Sequence, residues 1–128
     1  MSSLQAKLQA ASAEFQKLQA DLSNAVEIRQ RLEARLSENE LVKKEFEQLK
    51  PENTVYKLVG PVLVKQDQAD AKANVETRLE FIRSEIKRVE GQLKEIQEKQ
   101  EKKKQELEET QTSLESQLAQ QQRVPAAA

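Results

Sequence analysis

Apolar residues recur at Leu4, Leu8, Ala11, Phe15, Leu18, Leu22 and Ala25, in steps that alternate four and three. Only a helix coiled at about 3.5 residues per turn keeps such a row on one side, so the spacing commits this part of the chain to a coiled coil. After a slip of phase the row continues through Ile28, Leu32, Leu36, Val42, Phe46 and Leu49, with Asn39 at one seam position. The successive three-residue steps at Leu22, Ala25 and Ile28 predict a stammer that overwinds the coil locally. Asn39 is expected to specify register. Pro51 ends the run, because the residue before a proline is pushed out of α geometry.

A second row follows the same alternation through Val75, Leu79, Ile82, Ile86, Val89, Leu93 and Ile96. It carries on through Gln100, Lys103, Leu107, Thr110, Leu114 and Gln117, so its seam turns polar with distance from the middle of the chain. Asp67 is the expected N-cap, with Asp70 adding negative charge to the first turn. Glu95 with Lys99 and Glu98 with Lys102 are expected exposed-face pairs, worth about 0.2–0.5 kcal/mol each. The reading is a helix over 3–49, a hairpin over 54–67 and a helix over 68–122, together one unit of 1–122, with 123–128 a flexible tail. At 1.5 Å per residue each helix spans roughly 70 Å. Matched lengths on either side of a short reversal predict an antiparallel pair in which facing residue numbers total about 124, from closing the hairpin between Leu49 and Val75. Leu4 then lies near Leu118, Leu8 near Gln117, and Phe15 near Leu107 or Thr110.

Between the helices stands the block VYKLVGPVLVKQD, two runs of β-formers separated by Gly60-Pro61. It reads as a β-hairpin, with Gly60 supplying the positive φ of a II′-like turn and Pro61 tolerating the next position. Such a hairpin is marginal alone: two strands in water barely hold, both edges carry unpaired backbone groups, and apolar side chains fall on both faces, Val55 and Val59 on one, Tyr56 and Leu58 on the other. A helical reversal needs only about 2–8 residues, so the apolar block points to assembly with other subunits. The candidate assembly residues are Val55, Tyr56, Leu58, Val59, Gly60, Val62, Leu63 and Val64.

Composition narrows the chemistry. Basic and acidic residues, 21 and 22, interleave to a net charge of -1, which leaves no basic stripe for phosphates; no nucleic acid is expected. The chain has no Cys and no His, which removes disulfides, thiolate chemistry, zinc fingers and His-based acid/base catalysis. Gly60 and Gly91 are the only glycines, so there is no phosphate-cradling loop. No enzyme activity, cofactor or metal is expected. The N-terminal stretch MSSLQAKLQAASAEF lacks the apolar core of a signal peptide and no segment matches a membrane span. Ser2 is not a myristoylation acceptor. The expectation is a soluble protein of the cytoplasm that does not bind a membrane. The run Lys102-Lys103-Lys104, ringed by Glu98, Glu101, Glu106 and Glu108, reads as a solvated face with partial snorkelling.

Helix, single hairpin and returning helix, with NTVYKLVGPVLVKQD at Asn53–Asp67 followed by Arg78-Leu79-Glu80-Phe81-Ile82 and Glu85-Ile86-Lys87-Arg88, resembles the β-type prefoldin subunits over roughly residues 5–120. The resemblance implies a mainly α fold: a long antiparallel coiled coil whose central hairpin joins an intersubunit β-barrel platform. It further implies a heterohexamer with other α-type and β-type subunits. Such a complex captures unfolded clients such as actin and tubulin and passes them to the cytosolic chaperonin without ATP. Beyond the polar seam positions Gln100 and Lys103 the coil is poorly held, which makes Leu4, Leu8, Phe15, Leu107, Leu114 and Leu118 candidate client-binding residues as well as coil core. The rival reading is a structural adaptor or tether that dimerises through its heptads.

Overall fold

The computed structural model describes residues 2–123. Its elements run α1 (Ser3–Glu47), β1 (Val55–Val59), β2 (Val62–Gln66) and α2 (Gln68–Arg123), a mainly α chain with one antiparallel hairpin between two long helices. The expected tail beyond Arg123 lies outside the described residues. The contacts sort into two units. One, here the hairpin unit, is Glu27–Glu90; the other, the terminal unit, takes the described parts of Met1–Val26 and Gly91–Ala128.

Both helix starts are capped. The Ser2 hydroxyl accepts from the Gln5 amide at 3.2 Å while Gln5 Oε1 accepts from the Ser2 amide at 3.0 Å, a reciprocal capping box. At α2, Asp67 Oδ2 accepts from the Asp70 amide at 3.4 Å and its carbonyl accepts from the Ala71 amide, confirming the expected N-cap. The C-terminus of α1 tightens into i to i−3 bonds at Gln48 and Leu49 before Pro51, the usual way a last turn uses its orphan carbonyls.

In the hairpin unit the core is bulky: Leu32, Ala71, Val75, Leu79, Ile82 and Val89 are buried, with Leu79 0% and Val89 1% exposed. Cross-helix ion pairs join Arg29 to Glu90 at 3.1 Å, Glu40 to Arg83 at 3.6 Å and Lys43 to Glu76 at 2.8 Å, so one helix ascends as the other descends. The antiparallel expectation holds here. The register is corrected: each partner on α2 lies up to about a turn and a half nearer the hairpin than a total of about 124 assigns.

The predicted phase slip is also corrected. Beside the half-buried Ser12 and Asp21 that flank it, the row of buried and half-buried positions on α1 keeps one unbroken alternation, Leu4, Leu8, Ala11, Phe15, Leu18, Leu22, Ala25, Arg29, Leu32, Leu36, Asn39, Lys43 and Phe46. There is no stammer because Arg29 and Lys43 take seam positions by laying their stems along the seam and turning their heads to carboxylates. Ile28 and Val42, the residues the sequence reading placed in the seam, flank it at 44% and 40% exposure. Arg29 Nε is buried and, although 3.3 Å from Glu33 Oε1, lacks an aligned hydrogen bond. Asn39 Nδ2 donates to the Arg35 carbonyl at 2.8 Å within its own helix, so this bond carries no register information across the coil.

The terminal unit is built from smaller and more polar material. Its buried positions among the described residues are Ala11, Ala25, Leu93 and Thr110, with Gln100 and Lys103 half-buried in the α2 row. Lys103 Nζ reaches Glu14 across the coil at 2.6 Å and Glu106 along its own helix at 2.9 Å. The expected pairs Glu95–Lys99 and Glu98–Lys102 are not formed among the described residues; the intrahelical pairs are Arg29–Glu33, Glu85–Arg88 and Lys103–Glu106. Long side chains on an exposed face gain little from pairing and remain solvated.

Candidate functional site

The hairpin is closed by Gly60, whose φ of 59° is the one positive value among the described residues. Pro61 holds φ negative, so positive then negative φ is the II′ pattern the sequence predicts. Register runs Val55↔Gln66, Tyr56↔Lys65, Lys57↔Val64, Leu58↔Leu63 and Val59↔Val62. Directly paired residues share a face. One face therefore carries Val55, Val59, Val62 and Val64 with Lys57 and Gln66; the other carries Tyr56, Leu58 and Leu63 with Lys65.

Both faces are open. Tyr56, Leu58, Val59, Val62, Leu63 and Val64 are all exposed, Leu58 at 67%, and only Val55 is half-buried. Exposing one such side chain instead of burying it forgoes about 1.5–3 kcal/mol, so seven apolar side chains on ten strand residues make this the most under-covered surface described. Lys57 and Lys65 are the only charged residues of the two strands.

Gln68 fixes the hairpin's footing, and sequence reasoning missed it. Its Nε2 donates to the Lys50 carbonyl at 2.8 Å and to the Asn53 carbonyl at 2.7 Å, while Asn53 Oδ1 accepts from the Lys50 amide at 2.7 Å. One amide thus ties together two carbonyls of the loop after α1, that of Lys50 accepting from the Asn53 amide as well, at 3.0 Å. No local signal marks a Gln as a clamp, because its partners are 18 and 15 residues away. Two large apolar residues outside the seam were also passed over as sites: Leu41 and Phe81, each 62% exposed. Phe81 was findable, since it falls between the seam positions Leu79 and Ile82.

The proposed client residues lie in the terminal unit. Leu4, Leu8, Phe15, Leu107 and Leu114 are half-buried and Leu118 is 47% exposed. Beside them Lys103 is held protonated above its ordinary range, first by its hydrogen bond to Glu14 and then by that to Glu106. The Glu106 carboxyl is lowered, chiefly by the same bond. In the hairpin unit Glu85 is lowered by its hydrogen bond to Arg88, and Lys43 is raised by Glu76. These shifts come from exposed ion pairs. They do not describe a catalytic pair.

Two long helices around a single apolar hairpin define a coiled-coil protein whose sheet is open at both edges. The family model for "Prefoldin subunit" matches residues 9–123, and the chain belongs to that family. Across 95% of its length it is 44% identical to prefoldin subunit 6 of Mus musculus, covering 94% of that protein. With prefoldin subunit 6 of Arabidopsis thaliana it shares 53% identity over 51 residues, 40% of each chain. Such shorter matches span about two fifths of the relative's length. Among solved structures, the prefoldin beta subunit from Thermococcus strain KS-1 is similar, with a TM-score of 0.74, 25% identity, and coverage of 80% of this chain and 90% of that one. The expected β-type fold is thereby met in one chain.

Proposed function

We propose that the chain is a non-enzymatic, ATP-independent subunit of a heterohexameric prefoldin of the cytoplasm. It joins other α-type and β-type subunits through its hairpin, captures unfolded polypeptides such as actin and tubulin, and delivers them to the cytosolic chaperonin. The observation that carries the reading is the hairpin of this family member, apolar on both faces and open at both edges. A partner strand completes such a surface; an intrachain helix does not. The seam is already occupied by antiparallel pairing in the hairpin unit, which disfavours the adaptor that dimerises in parallel through its heptads.

Val62, Val64 and their neighbours form the assembly contact, and Leu4, Leu8, Phe15, Leu107, Leu114 and Leu118 offer weak apolar contacts to clients. Several such contacts on one assembly raise avidity well beyond any single one. Val62→Asp with Val64→Asp puts two unpaired charges where neighbouring strands cover them, at several kcal/mol per ion. Co-expression with partner prefoldin subunits and sizing is expected to show the hexamer lost; an undiminished hexamer refutes the assembly role. Removing residues 1–15 and 108–128 is expected to leave assembly intact and lower the complex's suppression of aggregation of unfolded actin. Equal protection over a concentration series places capture elsewhere.

A further inference from the structure

The two open edges of the hairpin are chemically different. Along β1 runs a groove of about 290 Å³ lined by four consecutive strand residues, Val55 to Leu58, and on β2 only by Gln66. A groove that touches odd and even residues alike follows the edge of a strand rather than one face. In a two-residue hairpin the closing pair Val59↔Val62 exchanges hydrogen bonds, and alternation then turns the N–H and C=O groups of Tyr56 and Leu58 outward to this edge. The floor is apolar, from Val42, Phe46 and Val75, and the only charged side chains on it are Lys57 and Arg78. Neither makes an ion pair among the described residues. The groove across the foot of the hairpin, which touches Val55 as well as Lys65 and Gln66, is instead mixed, with Glu52 and Asp67 beside Lys65 and Lys72.

From this we infer that the β1 edge receives an extended strand of a different subunit, one that alternates apolar residues with Asp or Glu. This rests on the reading that the hairpin assembles with other prefoldin subunits and specifies which side takes which partner. Backbone groups of Tyr56 and Leu58 supply the ladder, Val42, Phe46 and Val75 take the apolar side chains, and Lys57 and Arg78 take the carboxylates. A second copy of this chain is a poor occupant. Its strands bring Lys57 and Lys65 and no carboxylate, so cation meets cation. The like-charge clash at this edge disfavours self-pairing and favours mixed assembly.

The test uses the full chain with its partner prefoldin subunits, reading affinity by titration and native mass spectrometry. Lys57→Glu with Arg78→Glu is expected to weaken co-assembly about tenfold or more, as two reversed pairs at a strand edge imply. Wild-type co-assembly is expected to weaken as ionic strength rises. The same reversal at the other edge, Lys65→Glu, is expected to change affinity by less than about threefold, because Glu52 and Asp67 already stand there. Helix content and thermal midpoint of each variant separate misfolding from lost recognition, and the neutral pair Lys57→Gln with Arg78→Gln is expected to give an intermediate loss. Equal assembly of wild type and Lys57→Glu/Arg78→Glu overturns the inference while leaving the assembly reading standing. An equal loss from Lys65→Glu overturns the assignment to β1. Self-association of the wild type that Lys57→Glu/Arg78→Glu abolishes makes the occupant a second copy and overturns it too. Failure of the wild type to join any prefoldin subunit overturns this inference and the assembly reading together.

Discussion

The hairpin unit and the terminal unit are made from the same two helices by the same heptad rule, yet they bury different things. Around the hairpin the seam closes over Leu32, Val75, Leu79, Ile82 and Val89; in the terminal unit it closes over Ala11, Ala25, Leu93 and Thr110, with Lys103 at a seam position. Each additional buried CH₂ contributes about 0.8 kcal/mol, so one periodicity supports a firm base for the hairpin and a lightly held coil near the chain ends. A heptad pattern sets which side pairs. Side-chain volume sets how hard it is to open.

Truncation of the core should break this contrast most visibly. Leu79→Ala leaves a cavity at a fully buried position and is expected to cost about 2–5 kcal/mol, read as a fall in the denaturation midpoint. The half-buried Leu107→Ala of the terminal unit is expected to cost about 1 kcal/mol. Equal losses at the two sites would erase the distinction between the units.

Amide hydrogen exchange measures the same difference without mutation. Protection along α2 is expected to be highest around Val75–Val89 and lower from Ile96 to Leu118, because local opening follows the few contacts it must give up. Replacing the seam cation sharpens the comparison: Lys103→Leu exchanges two half-exposed ion pairs for apolar contact along the seam and is expected to stabilise the terminal unit modestly. Slower exchange from Ile96 onward, with Val75–Val89 unchanged, is the expected readout. If capture needs the coil to open there, the complex should then protect unfolded clients less well.

Gln68→Ala probes the footing of the hairpin alone. Loss of its two bonds to the Lys50 and Asn53 carbonyls is expected to cost about 1 kcal/mol, since both acceptors are near water and can rehydrate. Faster exchange at Asn53–Val55 with the terminal unit untouched checks it.

The smallest expected effect is that of pH, and here the two units should behave alike. Glu106 and Glu85 have lowered carboxyl pKa values in the fold, so their contributions are present above the ordinary carboxylate range and fade as pH falls through the lowered values. Lys103 and Lys43 are raised, so theirs are present below the usual lysine range and fade as pH rises through the raised values. Protection, taken relative to the intrinsic exchange rate at each pH, should fall slightly in both units at each extreme. A response confined to one unit would show that these exposed pairs are not equivalent.

The helices, the hairpin and its turn were legible because each rests on a local rule: alternation of four and three, Pro51 as a stop, Asp67 as a cap, and Gly60 as the residue free to take positive φ. The exposure of the hairpin's apolar residues was legible for a related reason, since apolar residues on both faces of a two-stranded ribbon have no local cover. Phase and register were not. A rule that scores apolar character places Ile28 and Val42 in the seam, whereas the fold seats Arg29 and Lys43 there because Glu90 and Glu76 stand opposite. A side chain's partner across the coil is invisible from its own helix.

By itself the sequence determined that two long helices would form, that a β-hairpin would separate them, and that its apolar residues would find no local cover. Backbone propensity and periodicity decide these within a few residues of chain. Only the tertiary structure decided that the first seam runs unbroken, that Gln68 anchors the reversal loop, and that Arg78 comes to lie in one groove with Lys57 beside the free edge of β1. Those facts depend on which side chains meet across the helix pair, and that is set by the packing free energy of the whole contact rather than by any segment alone.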